Sequence, residues 1–188
     1  PAVGPNLMAY GLTESNELVS FNANSPGTFS SKTSISNIPS GERLLSIDFR
    51  PATGELYALS NASKFYIVNT ASGAARAVGT TAFSPAISGT IASIDFNPTV
   101  DRIRLVTNIG QNLRLNPETG SVAATDGSVA TTSSITGIAY TNSKSGATTT
   151  TLYDIDVTAG KLFKQDPPNN GTLVEVGSLG VSVSGQVA

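Results

Sequence analysis

The sequence predicts an all-β protein built like a β-propeller, from four repeats of about 47 residues that each form a four-stranded antiparallel meander. Short runs of β-branched and aromatic residues alternate with turn-forming residues. No window of a dozen residues keeps the 3.6-residue apolar spacing of an amphipathic helix, so almost no helix is expected. The runs recur at a fixed interval, and four short strands in ~40 to 50 residues are typical of a propeller blade.

The interval is clearest in the Ser-Ile-Asp-Phe sequence of Ser46–Phe49, which returns 47 residues later as Ser93–Phe96. Other pairs at this interval are Tyr10 and Tyr57, Pro51 and Pro98, Asn69 and Asn116, and Gly73 and Gly120. The sequence therefore predicts a single domain over residues 1–188. Its repeats are placed at residues 44–79, 91–127 and 135–177, and a first repeat combines residues 6–35 with the C-terminal segment 179–188.

The repeat at residues 44–79 shows how each strand is predicted. Strands are expected at residues 44–49, 55–59, 64–69 and 74–78, because these runs are short and mostly apolar. Pro51 fixes φ in the turn between the first two strands, and Gly73 can adopt the positive φ that ends the turn before the fourth. The same turn residues recur in the following repeat, which is expected to fold in the same way.

The chain enters this pattern at the second strand, because residues 7–12 match residues 55–59. The first repeat therefore lacks its innermost strand unless residues 181–187 supply it and close the ring. If that position stays open, its unpaired edge is expected to recruit a neighbouring subunit, since exposed strand edges pair readily with other strands. Self-association as a homo-oligomer or a filament is the partner interaction that this pattern favours.

The composition excludes several functional classes. Only 13% of the residues are charged and the formal net charge is -2, so the positive field that nucleic-acid binding needs is absent. The chain has no Cys and no His, which removes thiol nucleophiles, imidazole bases and the usual zinc ligands. We therefore expect no catalytic residues, no metal site and no cofactor. No run approaches the ~18 apolar residues of a membrane span.

The cellular location is also suggested by composition. A surface rich in Ser, Thr, Asn and Gly is typical of secreted and cell-surface β-proteins. The chain starts at Pro1 without an initiator Met, which suits an exported protein whose signal peptide has been removed. An extracellular or cell-surface location is therefore expected.

Four long motifs, at residues 11–28, 41–59, 95–120 and 147–177, resemble the domain-of-unknown-function 4394 family, which is found in secreted bacterial proteins. The resemblance extends from Tyr10 to Gly180. It implies a bacterial exported protein with a propeller-like fold. It implies no activity and no catalytic residues, because the family is uncharacterised.

Asp48 and Asp95 occupy the same repeat position on the predicted inner strand, where side chains can face the central channel. Two carboxylates there could bind a cation or act as an acid and base pair in glycoside hydrolysis. Alternatively, each carboxylate accepts hydrogen bonds from backbone N–H groups of its own blade. This structural interpretation is favoured because the last repeat carries Ala139 at this position. Structural hydrogen bonding is also expected for Asp154 and Asp156.

Arg102 and Arg104 alternate on the predicted second strand of their repeat and so share one face, with Arg114 on the neighbouring strand. A guanidinium presents a planar fork of donors, so this face could clamp an anionic sugar or the carboxylates of a partner protein. The favoured alternative is a solvated face on which Asp101 and Glu118 supply the counter-charges.

The function predicted from these observations is that of a non-catalytic bacterial extracellular or cell-surface module that acts in adhesion, binding or self-assembly. Asp48, Asp95, Arg102 and Arg104 are its candidate binding residues, and a glycan or a protein is the candidate ligand. The alternative function is a carbohydrate-active enzyme, similar to a glycoside hydrolase, that uses the inner-strand carboxylates.

Overall fold

The computed structural model describes residues 6–129 and 133–182 of the 188-residue chain. Within them, four antiparallel sheets follow one another, and each strand pairs with the next strand in sequence. The all-β, propeller-like architecture with four repeats is therefore confirmed. The only helical segment in the described residues is a 3-10 helix at Pro168–Asn170. No helix in this part of the chain has the length and apolarity needed to cross a membrane.

The strands are numbered in chain order and grouped by sheet. Sheet 1 contains β1 (Met8–Leu12), β2 (Glu17–Asn22) and β3 (Phe29–Ser34). Sheet 2 contains β4 (Leu44–Phe49), β5 (Leu56–Ser60), β6 (Lys64–Val68) and β7 (Ala75–Val78). Sheet 3 contains β8 (Ala92–Asn97), β9 (Arg102–Thr107), β10 (Asn112–Leu115) and β11 (Val122–Thr125). Sheet 4 contains β12 (Ile135–Tyr140), β13 (Leu152–Asp156), β14 (Lys161–Gln165) and β15 (Leu173–Ser178).

The first strands of sheets 2, 3 and 4 lie side by side at the centre, with β8 between β4 and β12. In sheet 1, the innermost strand among the described residues is β1, which corresponds to the second strand of the other sheets. Within the described residues, the pattern thus begins at a second strand, as the sequence indicates. The assignment of residues 181–187 to the innermost strand of sheet 1 falls mostly outside the described residues and stays a prediction.

The hydrophobic core is divided among the contacts between sheets. Along β5, Tyr57 and Leu59 belong to the cluster shared with sheet 3, and Leu56 and Ala58 to the cluster shared with sheet 1. All four side chains are buried, because successive residues of a strand point to opposite faces and both faces of this strand are covered. We call the contact between sheets 2 and 3 the second joint and the contact between sheets 3 and 4 the third joint.

Gly73 ends the turn between β6 and β7, as the sequence predicts. Its φ is 73°, and a Cβ at this position would lie 2.4 Å from the carbonyl oxygen of Ser34. A side chain would therefore conflict both with the backbone conformation and with the close approach of sheet 1. Gly120 has a φ of 70° at the same place in sheet 3.

Candidate functional site

Asp48 and Asp95 lie on the inner strands β4 and β8 and connect neighbouring sheets. Oδ2 of Asp48 accepts the N–H of Phe96 at 2.8 Å, and its Oδ1 accepts the N–H of Phe49 at 2.8 Å. Oδ1 of Asp95 accepts the N–H of Tyr140 at 2.9 Å. Both carboxylates thus bind backbone N–H groups, but two of the three donors belong to the next sheet and not to the same blade.

Two serines extend this connection. Oγ of Ser46 accepts the N–H of Ile94 at 3.2 Å, and Oγ of Ser93 accepts the N–H of Ile138 at 3.2 Å. On each of these inner strands, a hydroxyl and a carboxylate two residues apart therefore hold two N–H groups of the next inner strand. We call this arrangement the Ser-x-Asp clasp, and it explains why the Ser-Ile-Asp-Phe sequence is the clearest part of the repeat.

The clasp carboxyl groups adjoin a central cavity of about 280 Å³. Much of its wall is apolar and includes Tyr10, Ile94 and Ile138. Burial raises the pKa of both carboxyl groups above the ordinary Asp value, and the charge of Asp48 raises the pKa of Asp95 further. The backbone N–H groups oppose this rise because they stabilise the ionised form.

Arg102 and Arg104 line a second cavity, of about 290 Å³, in the third joint, together with Arg114. The structure therefore brings together the three arginines that the sequence placed on neighbouring strands. We call this cavity the arginine pocket. Its other lining residues are Asn97, Val100, Tyr140, Pro167, Pro168 and Asn169.

Arg104 is the buried arginine of this pocket, with 2% of its surface exposed. Its Nη1 donates to Oδ1 of Asn112 at 2.8 Å and to Oδ2 of Asp126 at 2.6 Å. Its Nη2 donates to Oδ1 of Asn169 at 2.7 Å, and its Nε to Oη of Tyr140 at 3.3 Å. Because sheets 3 and 4 both supply acceptors, the guanidinium is held in one position between them.

Arg114 shares the carboxylate that binds Arg104. Its Nε and Nη2 donate to Asp126 at 2.7 and 2.9 Å, while its side chain is 37% exposed. Burial by itself would raise the pKa of Asp126, but the hydrogen bonds from the two arginines hold it below the ordinary value. Arg102 donates to the backbone oxygen of Asp101 at 2.9 Å. Among the described residues, no acidic side chain forms a salt bridge with Arg102.

The second joint uses the same repeat positions with different side chains. Tyr57 packs edge to face on Phe96, with ring centroids 5.1 Å apart. Arg104 occupies the repeat position of Tyr57, 47 residues later. Tyr140 occupies the repeat position of Phe96, because the Asp95 clasp binds the N–H of Tyr140 as the Asp48 clasp binds the N–H of Phe96. An aromatic pair in the second joint is therefore replaced by an arginine and tyrosine pair in the third.

Arg50, the arginine of the second joint, is neutralised by two carboxylates. Nη2 of Arg50 lies 2.5 Å from Oδ2 of Asp101 and 2.5 Å from Oε1 of Glu118. The hydrogen bond to Asp101 is the main cause that raises the pKa of the Arg50 guanidinium. The expectation that Asp101 and Glu118 neutralise the arginines of β9 is therefore wrong, because both carboxylates bind Arg50. The counter-charge of Arg104 is Asp126.

Asp154 is a buried carboxyl group on β13, in the sheet that packs against Arg104. Its side chain is fully buried, and neither oxygen has a hydrogen-bond partner among the described residues. Burial raises the pKa of Asp154 to about 7, against the opposing effect of the Arg104 charge. In sheet 3, the residue at the same strand position as Asp154 is Leu105 on β9. Asp156, in contrast, accepts two backbone N–H groups, as expected from the sequence.

The polar groups of the arginine pocket suit the recognition of an anion, since guanidinium groups bind carboxylates and similar oxyanions in a planar, bidentate manner. Within residues 6–129 and 133–182, no group of three or more acidic side chains is placed so that it could hold a metal ion.

The sequence did not assign to this site the pocket residues Tyr140 and Asn169, nor Asp126, which binds two of the pocket arginines. A signal existed for Tyr140, because it replaces the Phe of the repeat. That signal was hidden because Tyr140 follows Phe96 by 44 residues and not by 47. Asp126 and Asn169 lie in connections between strands, where residue spacing does not predict which side chain meets which arginine.

The fold and these sites define a repeat-built, propeller-like β-protein with an arginine-lined cavity between two of its sheets. The family model described as Domain of unknown function (DUF4394) matches residues 17–188. The chain belongs to this family, which confirms the resemblance seen in the motifs. No curated protein matches the chain.

Two solved structures are similar to this chain. A structural genomics protein of unknown function from Bacteroides thetaiotaomicron VPI-5482 is 13% identical, with a TM-score of 0.57, over 96% of this chain and 46% of that chain. BBS1N, in complex with ARL6DN and soaked with mercury, is 17% identical, with a TM-score of 0.47, over 89% of this chain and 47% of that chain. The chain thus spans about half the length of these proteins. At such identities the similarity concerns the fold alone.

Proposed function

We propose that this chain is a non-catalytic extracellular binding module, and that the arginine pocket holds the carboxylate of an acidic glycan. The observation that carries the proposal is the unequal charge of the two joints. In the second joint one guanidinium meets two carboxylates, whereas in the third joint Arg104 and Arg114 share the carboxylate of Asp126, and Arg102 beside them has no acidic partner among the described residues. In a partly enclosed cavity this excess favours an anionic ligand, because water screens the charges less.

The other walls of the pocket favour a sugar acid over a simple ion. Tyr140 and the neighbouring prolines contribute apolar surface, and Asn97 contributes an amide that can bind a hydroxyl group. Arg102 and Arg114 are partly exposed, so their guanidinium groups can reach a ligand carboxylate.

Two further observations support a non-catalytic extracellular role. The carboxylates of Asp48 and Asp95 accept backbone N–H groups, which supports a connecting role in preference to acid and base catalysis. The low proportion of charged residues supports an extracellular setting. Adhesion to a surface that carries acidic glycans is the activity that we infer from the two together.

Isothermal titration calorimetry of the chain with tri-galacturonate tests this proposal. We expect saturable binding that weakens with added salt, and at least about tenfold weaker binding of the neutral tri-galactose, because charge-assisted hydrogen bonds dominate the contact. Arg102→Gln and Arg114→Gln should each lower the affinity about tenfold.

Arg76→Gln is the matched control, since Arg76 lies on β7 and pairs with Glu55, away from the pocket. It should leave the affinity unchanged. Equal affinity for the acidic and neutral sugars, or an equal loss in the Arg76→Gln variant, would overturn the proposal.

A further inference from the structure

The arginines of the arginine pocket keep hydrogen-bond donors for a ligand. Arg102 donates one N–H to the backbone oxygen of Asp101, and Arg114 donates from Nε and Nη2 to Asp126. A guanidinium carries five N–H groups, so each of the two keeps N–H groups that bind no acceptor among the described residues. Both side chains line the cavity and are partly exposed, so a ligand can reach these donors.

The two amide side chains of the pocket also present donors. Oδ1 of Asn97 accepts the backbone N–H and the hydroxyl group of Thr99, at 3.0 and 2.7 Å. Oδ1 of Asn169 accepts Nη2 of Arg104 at 2.7 Å. Because both oxygens are bound to donors, the orientation of each amide is fixed. Within residues 6–129 and 133–182, neither NH2 group has an acceptor, so it is the group that each amide offers to a ligand.

Two further acceptors of the pocket wall are engaged. Oη of Tyr140 accepts Nε of Arg104 at 3.3 Å, which leaves the O–H of the tyrosine to donate. The carbonyl oxygen of Pro168 accepts Nε2 of Gln165 at 2.6 Å. In the part of the chain that the structure describes, every side-chain acceptor that lines the pocket is therefore bound to a donor.

A wall with available donors and engaged acceptors selects against hydroxyl groups. A hydroxyl group that is buried against this wall can accept a hydrogen bond, but its own proton meets no available acceptor, and a buried donor without a partner is costly. Carboxylate, ether and ketal oxygens only accept, so they match the wall without this cost. Val100, Pro167 and Pro168 form an apolar part of the wall, which suits a methyl group.

The size of the pocket limits the ligand to a small group. Its volume of about 290 Å³ is at the lower end of the range for ligand pockets, which is ~300 to 1,000 Å³. The pocket opens to solvent, since Val100 is exposed and the side chain of Arg114 is 37% exposed. One sugar residue can therefore enter while the rest of a glycan stays outside.

We propose that the arginine pocket selects a sugar residue whose carboxylate is carried on a ketal carbon, beside two ketal oxygens and a methyl group, as in a pyruvate ketal. This inference rests on the proposed function, because it names the acidic glycan that the same site holds. Arg102 and Arg114 bind the carboxylate, and the amide NH2 groups and the O–H of Tyr140 serve the ketal oxygens. In a uronic acid, by contrast, a hydroxyl group lies beside the carboxylate and directs its proton toward other donors.

Isothermal titration calorimetry of the full chain with three methyl galactosides tests this selection. The first carries a cyclic pyruvate ketal, and the second is the galacturonoside. The third carries a cyclic ethylidene acetal on the same two oxygens as the ketal, which keeps the methyl group but lacks the carboxylate. We expect the ketal to bind at least about tenfold more tightly than the galacturonoside, because no hydroxyl proton is left without an acceptor. It should also bind at least about tenfold more tightly than the acetal, which lacks the charge-assisted hydrogen bonds.

The selection and the proposed function fail in different ways. Equal affinities of the ketal and the galacturonoside, or tighter binding of the galacturonoside, would overturn the selection and leave the proposed function in place. Equal affinities of the ketal and the neutral acetal would overturn both, because the carboxylate would then contribute nothing. The absence of saturable binding by either acid would also overturn both.

Val100→Thr tests the wall at an exposed position. Threonine has nearly the same shape as valine, but its hydroxyl oxygen supplies an acceptor that the wall otherwise lacks. We expect the preference for the ketal over the galacturonoside to fall to about threefold or less. An unchanged preference would show that the engaged acceptors do not cause the selection.

Two tyrosine variants form a matched pair. Tyr140→Phe removes a donor from the pocket and should weaken binding of the ketal about threefold to tenfold. Tyr57→Phe is the control, because Tyr57 also accepts from an arginine, Nη1 of Arg50 at 3.4 Å, but lies outside the pocket. It should leave the affinity unchanged, and an equal loss in the two variants would contradict the role of the Tyr140 hydroxyl group.

Discussion

The second and third joints are made by the same repeat positions, yet their charges are balanced differently. The arginine of the second joint is paired with two carboxylates, whereas two arginines of the third joint share one. In the second joint, Arg50 lies between two carboxylates, and the ring of Tyr57 packs on Phe96. In the third joint, an arginine takes the place of that tyrosine and shares one carboxylate with Arg114. The comparison shows that a repeat supplies a constant scaffold, and that a few side chains at a joint decide how its charges are balanced.

Removal of the shared carboxylate should produce the largest effect. Asp126→Ala leaves the buried Arg104 without its counter-charge, so we expect the free energy of unfolding to fall by ~3 to 5 kcal/mol. In the second joint, Glu118→Ala should cost at most ~1 kcal/mol, because Glu118 is 69% exposed and Arg50 keeps Asp101. Urea denaturation of both variants measures the difference, and equal losses would show that the two joints are not distinguished by charge balance.

An intermediate effect on stability is expected when a residue of the third joint is replaced by its counterpart from the second joint. Leu105 of β9 is the counterpart of Asp154 on β13, so the variant is Asp154→Leu. The folded state raises the pKa of Asp154, so it binds the proton more tightly than the unfolded chain does. The contribution of Asp154 to stability therefore falls as the pH rises from about 4 to about 7.

We accordingly expect Asp154→Leu to increase the free energy of unfolding by ~2 kcal/mol at pH 8 and by less at pH 4. The clasp carboxyl groups are present in both proteins, so the difference between the two pH profiles isolates Asp154. Asp156→Leu is the control and should destabilise the protein, since Asp156 accepts two N–H groups. An increase in the free energy of unfolding that does not change with pH would show that the ionisation of Asp154 is not its cause.

The smallest effect is expected from the arginine that lacks an acidic partner among the described residues. Arg102→Gln should change the free energy of unfolding by less than ~0.5 kcal/mol, because the side chain is partly exposed and binds a backbone oxygen. Arg50→Gln in the second joint should cost more, ~1 to 2 kcal/mol, since the buried Arg50 side chain loses its hydrogen bonds to Asp101 and Tyr57. A loss above ~1 kcal/mol for Arg102→Gln in thermal or urea unfolding would assign Arg102 a structural role.

Much of the fold follows from local patterns. The strands of sheet 2 lie within two residues of the predicted ranges, because apolar runs and turn residues such as Pro51 and Gly73 act on their own neighbourhood. Backbone hydrogen bonding by Asp48 was also predictable from its place in the repeat. Its donor in the next sheet was not, because Phe96 is 48 residues away and its approach depends on how the sheets pack.

The charge partners were the least predictable part of the site. Asp101 precedes Arg102 in sequence, and proximity along the chain suggested that they neutralise one another. The turn that carries Asp101 instead directs its carboxylate into the second joint, where it binds Arg50. Sequence proximity is a poor guide here because strand residues point alternately to two different joints.

The sequence alone determined the repeat, the order of the strands, the turns and the role of Asp48 and Asp95 as acceptors of backbone N–H groups, since these features depend on residues close together in the chain or on a constant interval. Only the tertiary structure decided which joint is neutralised and that Asp154 is buried without a hydrogen-bond partner in the described residues. The physical reason is that burial and charge balance depend on side chains from different sheets, which no single repeat contains.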